Sequence, residues 1–418
     1  MKELLFPKIR CVEQKFETSH IENIPDVVIA QLSQCELKDK IKAMSKVAIT
    51  GSSRGIPHQA LILKTIVDYV KKLGADPFIF PAMGSHGGGT ARGQLRILNE
   101  YGITEKSMKC PIKASMDVNI IGTSEFGTPI YLDRYASKAD HIILVNSIKC
   151  HSKFVGKVES GLSKMTLIGL GKHEGAKLYH RLINQKSFTS VIESIRDQIL
   201  GKIPVVCGVG IIQNAYHELA DIVALSPEDF ALKEPQLFSK AKKAMAQLPF
   251  NKCDLLIVDE MGKEIFGTGM NSMITGRKEN SPNEISWLFV RDLTEQTHGN
   301  AQGIGLADFT TKRLVNKIDF EQTYTNALTA FRTDSPKLPV FLDSDREVLK
   351  AIEKLKGKNQ MKDLKLIWIK NTLKLGKLLI SEPFFDKVEE NRCLKFSSTA
   401  ESLNFNSNGF LLNSQKYW

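Results

Sequence analysis

"VAITGSSRGIPHQALILKTIVDYVKKLGADPFIFPAMGSHGGGTARG" (47–93) decides the fold. Its opening run, "SKVAIT" from Ser45, has the length and β-branching of a buried strand, and "GSSRGIP" has the composition of a loop. "HQALILKTIVDYVKKLG" then repeats apolar residues at the three-to-four spacing of an amphipathic helix, which Gly74 ends. "DPFIFPAM" supplies a second strand, and it runs into a loop holding His86 among glycines before the helix "GQLRILNEYGI". Two β-loop-α units in succession predict a parallel sheet. Pro57, which cannot donate a backbone N–H, is expected in the first turn of the first helix.

Working outward, "ADHIILVNSIK" (139–149) predicts a further strand, and "IPVVCGVGIIQNAY" (203–216) continues the sheet. "EPQLFSKAKKAMAQLPFNK" (234–252) reads as a helical connector. Beyond it "CDLLIVDEM", "SWLFVRDL", "LPVFLDSDREVLKAIEKL" and "LKLIWI" again alternate strands with helices. The expected fold is α/β with two domains, residues 1–250 and 251–418, each a mostly parallel sheet flanked by helices, with the active site in the cleft between them. The polar C-terminus, "FSSTAESLNFNSNGFLLNSQKYW", reads as loosely held.

Across 418 residues the chain is 42% apolar and 25% charged, an ordinary soluble composition. The opening "MKELLFPKIRCVEQ" lacks the apolar core of a signal peptide, and no apolar run nears the roughly 18 residues that span a bilayer, so a cytoplasmic protein is expected. Seven cysteines without a C-x-x-C pair argue against a disulfide framework and against a zinc knuckle. The net charge of +11 favours anionic ligands. Residues 350–377 carry nine lysines interleaved with Leu and Ile, the pattern of solvated faces, and no nucleic-acid or membrane partner is expected.

Ligands of open parallel sheets bind outside the carboxyl ends of the strands. Three predicted strand ends deliver Arg54, His86 and His151 there. Paired histidines across a bound carbon can take a proton on one side and return it on the other. Arg54, with Ser52 and Ser53, suits a carboxylate or a phosphate. Lys164 and His180 stand sixteen residues apart, roughly 24 Å in unbroken helix. Gly169, Gly171 and Gly175 between them let the chain turn back, so both ends can reach one ligand. "VAITGSSRGI" also matches the phosphate loop of short-chain dehydrogenases, but Pro57 stands where the last glycine is required, and Tyr135 and Lys138 miss the four-residue spacing of that family's tyrosine-lysine pair.

"GSHGG", the strand-terminal His151, "ESGLSKMTLIGLGKHEGA" and His180 sixteen residues after Lys164 together resemble the nickel-pincer-nucleotide enzymes typified by lactate racemase, over residues 45–310. "EMGKEIFGTGM" and "DLTEQTHGNAQGIGLADF" are similar to a branch of 2-hydroxyacid isomerases other than the lactate enzyme. The resemblance implies an isomerase that racemises or epimerises a small-molecule 2-hydroxy acid by proton-coupled hydride transfer to a nickel-pincer nucleotide, supplied by cofactor-synthesis enzymes. It implies that His180 binds nickel, that Lys164 carries the cofactor's thiocarboxyl group, and that His86 and His151 are the acid/base pair. Ser160 and Ser163 are the implied phosphate contacts, although serines there also suit a helix cap. Glu260, Lys263 and Arg277 are candidate substrate contacts from the second domain. Two other classes stay open: a nicotinamide-dependent dehydrogenase, and a non-catalytic protein that binds a nucleotide or nickel cofactor.

Overall fold

A computed structural model describes residues 6–53, 55–329 and 331–418. Fifteen strands are described: β1 (Ile9–Gln14), β2 (Lys46–Gly51), β3 (Asp76–Pro81), β4 (Val118–Thr123), β5 (Pro129–Asp133), β6 (His141–Ser147), β7 (Val205–Gln213), β8 (Leu219–Leu225), β9 (Lys252–Met261), β10 (Glu284–Leu293), β11 (Phe309–Thr311), β12 (Val340–Leu342), β13 (Leu366–Asn371), β14 (Lys374–Ser381) and β15 (Leu394–Phe396). They fall into two compact units, Glu17–Met245 and a second one that joins the first sixteen residues to Ala246–Trp418.

The Glu17–Met245 unit is built on a five-stranded sheet in the order β3-β2-β6-β7-β8. β3, β2, β6 and β7 are parallel, and only the edge strand β8 runs antiparallel. The sheet is buried on both faces, which is why its strands read as near-continuous apolar runs rather than as alternating ones. Val47, Ile49, Ile143 and Val145 point into one core, with helices Ile24–Gln34 and Gln59–Lys72. Ala48, Ile142 and Leu144 point into the other, with Tyr179, Leu182, Val191 and Ile195 of helices Lys172–Gln185 and Phe188–Leu200. A separate β4–β5 hairpin ends at Asp133.

The second unit has an eight-stranded mixed sheet, β12-β11-β10-β9-β13-β14-β1-β15. It is parallel from β12 to β13 and antiparallel beyond. Thus α/β architecture with largely parallel sheets is what both units show. The N-terminal residues join this unit because β1 is paired on both edges, by β14 and β15.

Two local expectations are corrected. Pro57 lies in the turn before helix Gln59–Lys72, since His58 between them is left-handed with φ +54°, which no helical turn accommodates. The C-terminus is not loosely held: Trp418 donates its indole N–H to Asp259 at 2.7 Å, Asn413 is fully buried and bonded to Asn404 and Ser402, and Leu411 packs in the core. No described helix is long and apolar enough to cross a membrane. No disulfide joins the described cysteines, and six of the seven are buried.

Candidate functional site

Because β3, β2 and β6 are neighbours and parallel, the loops that follow them emerge side by side at one sheet edge. Those loops carry His86, Ser52 and Ser53, and His151. The first contact is direct: the Ser53 hydroxyl is hydrogen-bonded to Nδ1 of His86. Arg54 lies outside the described residues.

The His86 loop owes its shape to glycine. Gly84, Gly87, Gly88 and Gly89 all have φ between +58° and +67°, a region costly for other residues. Gly87 also faces Gly93 so closely that a Cβ on Gly93 would lie 1.9 Å from the Gly87 carbonyl oxygen. Thr90 caps the following helix, accepting from Gly93 N at 3.1 Å. Buried Gln94 then donates its amide to the carbonyls of Gly84, at 3.0 Å, and His86, at 3.3 Å.

A second group forms around Phe154, which is almost fully buried. Its ring stacks on His151, centroids 4.2 Å apart, and on Phe188, also 4.2 Å. The His180 ring lies 5.7 Å away, and the Lys164 ammonium is 5.4 Å from the Phe154 centroid. One aromatic side chain thus gathers His151, Lys164 and His180. Nδ1 of His151 accepts from the backbone N–H groups of Lys153, at 3.1 Å, and Phe154, at 3.2 Å, which places the proton of the neutral ring on Nε2. The backbone N–H of His151 donates to the Glu159 carboxylate at 2.8 Å. His180 is half-buried, and desolvation, reinforced by the positive charges of Lys164 and Lys153, pushes its pKa down to about 4. The imidazole is therefore neutral near pH 7, the form in which histidine ligates metals.

Lys164 and His180 do come to one place, but not through left-handed glycines. Helix Leu162–Lys164 passes into a π-turn at Met165–Gly169, and a new helix starts at Lys172 with φ +55°. The glycines serve close approach instead: a Cβ on Gly171 would lie 2.6 Å from the Leu167 carbonyl oxygen and 2.9 Å from Gly175 Cα.

The two groups are linked. Ser52 donates its hydroxyl to the Val145 carbonyl at 2.9 Å and lies 3.5 Å from Asn146 Oδ1, and the Asn146 amide donates to the Gly161 carbonyl at 2.8 Å. Ser52 is consequently buried and occupied. Ser163 is also held inward. Its N–H and hydroxyl both go to the buried carboxylate of Glu234, which takes the Leu162 N–H as well. Ser160 is fixed through its carbonyl, which accepts from Lys149 N at 3.1 Å. In the other unit, Glu260 accepts from Asn371 at 2.8 Å, Lys263 donates to Gly267 and Asn326, and Arg277 pairs with Asp308 at 2.5 Å.

Phe154, Glu234, Asn146 and the buried pair Lys172–Asp133 were not legible as site residues. Lys172 is wholly buried; it donates to the Pro81 carbonyl and to Gln94 Oε1, both at 2.7 Å, with Asp133 at 3.6 Å. Burial pushes the Asp133 pKa up and that of Lys172 down, while each charge pulls the other back.

Residues 6–190 match the family model for the lactate racemase N-terminal domain. Both groups of residues above lie within that segment, apart from Glu234. The chain also matches a solved structure, the lactate racemase apoprotein from Thermoanaerobacterium thermosaccharolyticum, with TM-score 0.54 and 14% identity over 86% of this chain and 94% of that one. That likeness is one of fold. No curated protein matches the sequence.

Proposed function

We propose that the protein is an isomerase, a cytoplasmic racemase or epimerase of a 2-hydroxy acid other than lactate that uses a nickel-pincer nucleotide. The observation that carries the reading is the gathering of His151, Lys164 and His180 on one phenylalanine, in a segment that matches the lactate racemase N-terminal domain.

The residues suit the cofactor. His180, neutral near pH 7, would hold nickel through a ring nitrogen, and the neighbouring Lys164 amine would carry the thiocarboxyl group. Among the described residues no group of three or more His, Cys, Asp or Glu is arranged to hold a metal, and the reading asks only one histidine ligand of the protein. When bound, the cofactor supplies an acceptor for the substrate's α-hydrogen as hydride.

The chain's own residues would handle the proton. His86, whose Nδ1 meets a hydroxyl able either to donate or to accept, can adopt the tautomer with a free-electron pair at Nε2 and take the substrate's hydroxyl proton there. His151, held with its proton on Nε2, would donate a hydrogen bond from the other loop. Arg54 would hold the carboxylate. Ser53 serves through His86, while the inward bonds of Ser52 and Ser163 give them positioning roles and leave Ser160 as the phosphate contact.

Enantiopure 2-hydroxy acids incubated with protein made alongside the cofactor-synthesis enzymes, followed by chiral chromatography, test the reading. One of them should lose optical purity, and His86→Ala and His151→Ala should each abolish that while the cofactor stays bound. Unchanged turnover in both variants would refute the assignment.

A further inference from the structure

Lys172 sits at the elbow between the Lys164 segment and the His180 helix, and three features single it out. It is a lysine with no exposed surface, it is left-handed at φ +55° although it is not glycine, and its ammonium reaches three other parts of the unit. Each of the first two is unfavourable alone and persists only where the surroundings over-determine it. Here the surroundings are the carboxyl end of β3, through the Pro81 carbonyl; the end of β5, through Asp133; and Gln94. Asp133 is itself fixed, accepting from the N–H groups of Tyr135 and Ala136 and donating its own N–H to Leu170.

Gln94 makes the arrangement more than a core ion pair. Its oxygen is taken by Lys172, which orients the amide so that its N–H groups face the carbonyls of Gly84 and His86. Those residues bracket a loop whose glycines give it little stiffness of its own. We propose that Lys172 is a positioning residue for the His86 loop, acting through Gln94, so that the helix bearing His180 and the loop bearing His86 are set by one buried ammonium. The inference rests on the reading of His86 as a site residue.

Lys172→Met removes the ammonium and keeps the apolar stem. Gln94→Glu keeps an acceptor for Lys172 while removing the donors to Gly84 and His86. In protein without cofactor, nitrogen NMR of labelled histidine rings reads the Ser53–His86 bond directly. Both variants should move the His86 Nδ1 resonance and leave those of exposed His20 and His217 in place. In loaded protein kcat should fall about 10- to 100-fold with KM nearly unchanged, the signature of a misplaced group. If Lys172→Met does not fold, Gln94→Glu alone carries the test. A folded Gln94→Glu protein with an unchanged His86 resonance would overturn the inference. Wild-type protein without turnover, but with the resonance moved in the variants, would sink the racemase reading and leave the positioning role standing.

Discussion

Replacing Phe154 should cost more than any other single truncation around the candidate site. The ring is almost fully buried, stacks on two rings at 4.2 Å, and also meets His180 and Lys164. Truncating a buried Phe to Ala typically costs 3–5 kcal/mol, so about 4 kcal/mol is expected for Phe154→Ala. For a unit the size of Glu17–Met245 that corresponds to a Tm lower by roughly 8–16 °C. Phe154→Leu keeps most of the volume but loses two stacked pairs, each worth about 0.5–1.5 kcal/mol beyond burial, so about 2 kcal/mol is expected. The alanine variant should also admit water to His180 and raise its pKa from about 4 toward the ordinary value, since desolvation is the first cause of the depression. Urea denaturation gives the stabilities and histidine NMR the titration. A Phe154→Ala protein within 1 kcal/mol of wild type, with His180 titrating as before, would refute the role given to this ring.

Because the folded His180 value is depressed to about 4, the unfolded chain binds more protons between about 6.5 and 4. Stability should therefore rise with pH through that window, by up to roughly 3 kcal/mol from this group, and urea titrations of His180→Phe should show a flatter profile than wild type. Glu234→Ala strands the N–H groups of Leu162 and Ser163 in a buried site, so a loss of about 3 kcal/mol is expected by the same assay; a loss under 1 kcal/mol would mean that Glu234 does not hold the Lys164 segment. Ser53→Ala should leave stability within about 0.5 kcal/mol, as the hydroxyl is only partly buried, yet lower kcat on the order of tenfold by freeing the His86 ring.

What the sequence revealed and what it hid follow from how the information is carried. Strand-loop-helix periodicity lies in consecutive residues, so the four parallel strands β2, β3, β6 and β7 and the loops bearing His86 and His151 could be read directly, while the antiparallel edge strand β8 was not. The elbow between Lys164 and His180 could be anticipated from spacing, but its conformation could not, because glycine at close helix contacts looks the same as glycine at a positive φ. Phe154, Glu234 and Lys172 owe their importance to partners distant in sequence: Glu234 lies 71 residues from Ser163, and Lys172 lies 78 from Gln94. The pairing of β1 with β14, across most of the chain, was invisible for the same reason.

The central claim is that Lys164 and His180 together hold a nickel-bearing nucleotide. Its most direct test is intact mass and nickel content of the protein made alongside the cofactor-synthesis enzymes, with Lys164→Ala and His180→Ala as controls. The account predicts near-stoichiometric nickel and a nucleotide-sized mass increment, with the increment absent from Lys164→Ala and nickel depleted in His180→Ala. Folded wild-type protein carrying neither nickel nor added mass would contradict it.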